Sequence, residues 1–248
     1  MRMARSLLSR SFVLAIACAT LQFTLVFAQL APVESHSRQE FLRRLIAAAL
    51  ERTSHFVRYD PAYVRIAYPG GDVPADTGVC TDEIIRSYRA VGVDLQKEVH
   101  EDMLQNFGAY PRKWHWLSAA PDSNIDHRRV PNLMVFFSRK GESLPITNRS
   151  EDYSPGDLVT WDLGGGVPHI GILVDRKAPQ SGRYMIVHNI GQGPKMEDGL
   201  FNWKITGHYR YFGPQLQGCH EGFVRCVSGS SRRPGLFLLN KIPPLGLG

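Results

Sequence analysis

Between Gln39 and Thr53 the run Q-E-F-L-R-R-L-I-A-A-A-L-E-R-T sets apolar residues at helical spacing among strong helix formers, which predicts an amphipathic helix. Pro69-Gly70-Gly71 and Pro74 then break the chain into a loop. Asp76 and Thr77 are plausible caps for a second helix through Glu83 to Ala90, whose apolar stripe is Ile84, Ile85, Tyr88 and Val91 and which Gly92 ends. A third helix is expected from Leu95 to Phe107. The stretch 111–150 is less regular, with a polar cluster from Asp122 to Arg129 followed by the apolar patch Leu133 to Phe137. Strand patterns follow: Leu158 to Asp162 after Pro155-Gly156-Asp157, Ile170 to Val174 after the turn at Gly164-Gly165-Gly166, Tyr184 to His188, and His208 to Phe212. Helices first and an antiparallel meander afterwards is an α+β pattern, with N-terminal helices packed on an antiparallel sheet.

The two ends differ from this middle. Arg2, Arg5 and Arg10 precede an uncharged apolar run from Phe12 to Ala28, and Val26 and Ala28 put small residues where a signal peptidase reads. Residues 1–28 therefore read as a secretory signal, and the run is on the short side for a bilayer core of ~30 Å. No second apolar stretch of spanning length follows, so the exported chain is expected in the periplasm or outside the cell, without a stable membrane span. Residues 29–38 form a polar leader, 39–212 the folded domain, and 213–248, rich in Gly, Ser and Pro, a tail of low order. Removing residues 1–28 takes away three arginines and no acid, which lowers the formal charge from +6 to +3. There is no P-loop, dinucleotide fingerprint or dense basic stripe, so nucleic acid is not an expected partner. Asp122, Asn124 and Asp126 match a calcium loop, but His127 and Leu133 stand where it needs Gly and Glu. His100-Glu101 lacks the second histidine of a zinc peptidase, Leu104 occupying its place. No metal or other cofactor is expected. Trp114, His115 and Trp116 suit either a sugar platform or packing.

The exported chain keeps three cysteines, Cys80, Cys219 and Cys226. The last two are close enough to close a small loop, which leaves Cys80 over in an oxidising compartment. Cys80 sits at a predicted helix start, where free N–H groups and the helix dipole favour a thiolate. His169 opens one predicted strand and His188 closes the next. A thiol, an imidazole and a polar group that orients the imidazole form the set used in acyl transfer. Strand alternation lets only one of His188 and Asn189 face His169.

Tyr68-Pro69-Gly70-Gly71, Cys80 at a helix start, Pro155 to Val159, His169-Ile170-Gly171-Ile172 and Val187-His188 together resemble the motif series of the NlpC-type cell-wall cysteine peptidases. More closely, Gly78 to Asp82, Asp126 to Leu133, His188 to Gly191 and Gly207 to Arg210 resemble a bacterial family of domains of unknown function, number 1287, in or near that superfamily. The resemblance spans about residues 40–212 and implies a compact papain-like fold. It implies Cys80 as nucleophile, His169 as base, His188 as orienter and Tyr68 near the thiol; Asn189, next to His188, is the alternative orienter and otherwise a substrate-binding candidate. The family resemblance gives no role to the cluster Asp126, His127, Arg128 and Arg129, which by its charge suits either the binding of a charged substrate or a solvated, salt-bridged loop. Val79-Cys80-Thr81 departs from the Asp-Cys-Ser usual in those peptidases. The implied activity is an exported cysteine amidase or peptidase acting on peptidoglycan or another cell-envelope amide. The alternatives are a non-catalytic envelope-binding protein and an acyltransferase using the same thioester.

Overall fold

The structure, a computed structural model, describes residues 36–111 and 120–214. The expected signal, most of the leader, the Trp114–Trp116 cluster, the Cys219 and Cys226 pair and all but the first two residues of the tail lie outside them. Four α-helices and an antiparallel six-stranded sheet make up the described fold, an α+β arrangement. The helices are α1 (36–52), α2 (Cys80–Ala90), α3 (Leu95–Asn106) and α4 (Val130–Lys140). None of the described helices is long and apolar enough to cross a membrane.

Two short strands, β1 (Arg58–Tyr59) and β2 (Thr77–Gly78), pair in parallel just before α2. Thr77 is therefore a strand residue rather than a cap. Instead the Asp82 carboxylate, in the first turn of α2, accepts a hydrogen bond from the Val79 N–H at 2.7 Å. Asp94 caps α3 by accepting from the N–H groups of Gln96 and Lys97. The patch expected only to be apolar is α4, with Pro131 in its first turn and Val130, Leu133, Phe136 and Phe137 buried.

The sheet comprises β3 (Glu142–Ser143), β4 (Leu158–Asp162), β5 (Pro168–Lys177), β6 (Tyr184–Asn189), β7 (Pro194–Glu197) and β8 (Lys204–Arg210), ordered β3-β8-β4-β5-β6-β7. The strand expected at His208 to Phe212 begins and ends earlier than its apolar pattern suggested. Both faces of the sheet are covered. Ile170, Ile172 and Val174 join Cys80, Ile84, Ile85 and Tyr88 in the core under the helices. Leu173, with Val159, Trp161 and Ile186, faces a second cluster that includes Tyr153 and Leu200. Gly156, in the turn before β4, has φ +91°, and a Cβ there would lie 2.6 Å from Leu42 of α1, so glycine is required twice over. Asp157, fully buried beside it, receives the His208 ring at 2.9 Å and the Arg210 Nε at 2.7 Å, which ties β8 to the start of β4.

Candidate active site

Cys80 is the first residue of α2, a free thiol that is 4% exposed. Its side chain packs toward β5. The backbone N–H groups of Ile170, Thr81 and Cys80 itself favour a thiolate there, yet burial outweighs them and pushes the thiol up to about 12. The sequence reading expected a lowered pKa from the helix terminus. The structure reverses that, because removing a charge from water costs more than a few N–H dipoles return. The Tyr59 hydroxyl is a neighbour of the sulfur: burial first, then the charges of Cys80 and Asp82, hold that phenol well above its usual range.

His169 is the residue before Ile170. Its Nε2 lies 2.7 Å from Nδ1 of His188, and Nε2 of His188 lies 2.7 Å from Oε1 of Glu197. Lys195 pairs with the other oxygen of Glu197 at 2.9 Å. His169 and His188 are 1% and 0% exposed. Burial, helped by His188 and Lys195, lowers the His169 imidazole to about 3. Burial also lowers His188, against the pull of Glu197. Burial raises Glu197, but its bonds to Lys195 and His188 bring it below the ordinary value. No hydrogen bond among the described residues joins the His169 ring to the Cys80 sulfur. The strand separates them: Ile170, the residue after His169, packs with Cys80 in the core under the helices, whereas the His169 ring packs on the other face.

The imidazoles stand on the sheet face away from α2. The Trp161 ring is 5.9 Å from that of His169, and the Trp203 ring is 6.2 Å from His169 and 6.0 Å from His188. Trp203 is also a wall of a cavity of about 460 Å³ that Thr147, Phe201 and Lys204 help to line.

Residues 46–211 match the family described as domain of unknown function, DUF1287. The chain belongs to this family. It is also 54% identical over 154 residues to the uncharacterized protein YijF of Escherichia coli (strain K12), an alignment covering 62% of this chain and 74% of YijF.

Within this DUF1287 domain the structure joins His169 and His188 on one face of the sheet, leaves Cys80 on the other face beside Ile170, and distributes the other expected residues elsewhere; the expected pairing of the Cys80 sulfur with the His169 imidazole is not formed, because alternation along β5 turns His169 and Ile170 to opposite faces. Tyr68 is 42% exposed and stands edge-on to His100 at 5.1 Å, with Glu101, Lys97 and Asp94 around it. Tyr59 holds the place beside the thiol that Tyr68 was expected to take. Asp126, His127 and Arg128 are only 2%, 2% and 6% exposed, so they are structural rather than substrate-binding. Asp126 accepts from the Asp122 N–H at 2.7 Å and bonds the His100 ring at 2.9 Å. Arg128 forks onto Asp82 at 2.9 and 3.0 Å and donates to the Ala62 and Asp60 carbonyls. Arg129 is half-buried at the N-cap of α4. Of the two candidate orienters, His188 faces His169. Asn189 is fully buried, and its Oδ1 accepts from the Gly191 N–H at 3.1 Å. Glu197 was missed because the four residues P-K-M-E of β7 carry no alternating apolar pattern.

Proposed function

We propose that this protein is an exported cysteine amidase or peptidase of papain-like, NlpC-type architecture. In this reading it hydrolyses amide bonds in peptidoglycan stem peptides or cross-links through a thioester at Cys80. The observation that carries it is the free thiol at the start of α2 packed against Ile170 of β5, on the strand whose other face carries the hydrogen-bonded series His169, His188 and Glu197. The sulfur attacks the amide carbonyl, its proton goes to the departing amine, and water then releases the acyl group; for His169 to carry that proton its ring has to leave the Trp161 and Trp203 face of the sheet, opposite the sulfur. Because burial keeps the thiol protonated, proton removal accompanies attack instead of preceding it. The Tyr59 hydroxyl and the N–H groups at the start of α2 are the donors available to the oxyanion. The cavity beside Trp203 offers room for part of a substrate.

The test is digestion of purified muropeptides by wild type and Cys80→Ala, with products identified by mass. Wild type is expected to release amide-cleavage products and Cys80→Ala none; equal digestion by the two sinks the reading. The low exposure of the sulfur favours a second reading, a non-catalytic envelope-binding protein. That protein would co-sediment with insoluble peptidoglycan and yield no products from either form.

A further inference from the structure

We propose that the side-chain amide of Asn189 is an oxyanion donor: its Nδ2–H bonds the carbonyl oxygen that becomes anionic when the Cys80 sulfur attacks. Asn189 is the fully buried last residue of β6. Its Oδ1 accepts from the Gly191 N–H, which commits one end of the amide to the turn that follows. The other end, Nδ2, is buried and has no hydrogen-bond partner among the described residues. Buried N–H donors are nearly always paired, because an unpaired one gives up its bond to water and gains nothing. A donor held out of water before the substrate enters is what a developing oxyanion needs, since it has no solvent to shed at the moment of attack.

The strand register puts this donor on the side of the sheet where the sulfur is. Val187, two residues before Asn189, packs with Cys80 and Ile170 in the core under the helices, whereas Ile186 belongs to the cluster on the opposite face. Alternation therefore places Asn189 on the Cys80 face, and His188, between them, on the Trp203 face. Across the ladder Ile172 pairs with Val187, and a Cβ on Gly171 would meet the His188 Cβ at 3.2 Å. The next step of that register sets Ile170 beside Asn189. Ile170 is also the β5 residue that shares the core with Cys80. The turn after Asn189 rests on the segment that carries Tyr59: a Cβ on Gly193, which has φ +87°, would lie 3.3 Å from the carbonyl oxygen of Val57. Asn189 thus joins the Tyr59 hydroxyl and the N–H groups at the start of α2 as a third source of donors, supplied by the sheet.

This role rests on the amidase reading, but two small reagents test it without a natural substrate. With p-nitrophenyl acetate the sulfur bonds to the carbonyl carbon, the π pair moves onto oxygen, and the thiol proton passes to buffer. Collapse of that anion expels p-nitrophenolate and leaves an acetyl thioester. With methyl methanethiolsulfonate the same sulfur displaces methanesulfinate and forms a methyl disulfide, so no oxyanion arises. In Asn189→Ala, acetylation of Cys80 followed by intact mass is expected to slow about 10²-fold, the usual loss of one oxyanion donor, with disulfide formation at the wild-type rate. Asn189→Asp keeps an oxygen for the Gly191 N–H and lacks the donor, so it is expected to follow Asn189→Ala. In wild type labelled with ¹⁵N-asparagine, the Nδ2 protons of Asn189 are expected to shift on acetylation and to stay in place on disulfide formation. Acetylation slowed no more than disulfide formation, Nδ2 protons unmoved by acetylation, or a folded wild type whose Cys80 neither reagent modifies overturns the proposal; the last two need no variant to fold. Selective loss of acetylation in the variants, with no muropeptide product from wild type, would instead remove the amidase reading alone.

Discussion

Arg128→Met is expected to cost the fold about 3–5 kcal/mol, the usual penalty for leaving one member of a buried ion pair behind. Arg128 and Asp82 have side chains 2% exposed on both sides, and the guanidinium meets both carboxylate oxygens. Without it Asp82 keeps only the Val79 N–H. The loss is not confined to one contact, since Arg128 also holds the Asp60 and Ala62 carbonyls and its own carbonyl accepts from the Thr81 hydroxyl at 3.2 Å. These bonds join the segment that carries Tyr59 to the first turn of α2, which carries Cys80. Urea unfolding of the variant should therefore show the stability loss, and thiol alkylation in the native state should become faster. The pair is costly to break but not to replace, so Asp82→Leu combined with Arg128→Met should recover part of the loss. A single variant within about 0.5 kcal/mol of wild type, the range of an ordinary surface change, would mean that this pair does not hold the site together.

How far the sequence discloses the structure depends on the range of each signal. Leu158–Asp162 reads correctly to the residue, because the Pro155-Gly156-Asp157 turn and the apolar run define both ends. His169 and His188 lie on strands with period-2 patterning, so their shared face can be deduced, and it selects His188 over Asn189. α4 was invisible for a physical reason. Five apolar residues in a row, Leu133 to Phe137, have no period, and the helical spacing emerges only when Val130 is included. The cluster from Asp126 to Arg129 misled because charge in a sequence reads as surface. Its burial depends on His100 and Asp82, 26 and 46 residues away from their partners. Tyr59 and Glu197 came into the site through a two-residue strand and a polar strand, both set by tertiary pairing with no local signature. The thiol's pKa failed similarly: a helix start is local and legible, whereas the burial that overrides it comes from the sheet.

Acidification is expected to destabilise the protein steeply, and His127 gives a clean way to measure one share of it. Burial, with Arg128, Arg89 and His100 adding repulsion, lowers His127 to about 3. His169 is lowered to about 3 as well, and His188 in the same direction. The sign is the same for all three. A histidine kept neutral by the fold gains protons on unfolding, so its contribution is complete above the ordinary value near 6.5 and is lost as the pH falls from there toward 3. Within that window each such group adds a slope of up to about 1.4 kcal/mol per pH unit. Carboxylates contribute over the same range, so the wild-type curve alone does not identify the histidines. His127→Leu does. Nδ1 of His127 is buried without a hydrogen-bond partner, and leucine of similar bulk removes both the orphan nitrogen and the proton. Urea midpoints measured from pH 7 to pH 4 should fall less steeply for the variant, by about one proton's slope, so that the two curves diverge as the solution becomes more acid. Parallel curves would place His127 in contact with water and its ring outside the core. Because His169 and His188 remain in the variant, the slope it retains bounds the cost of holding the two imidazoles neutral against Trp161 and Trp203.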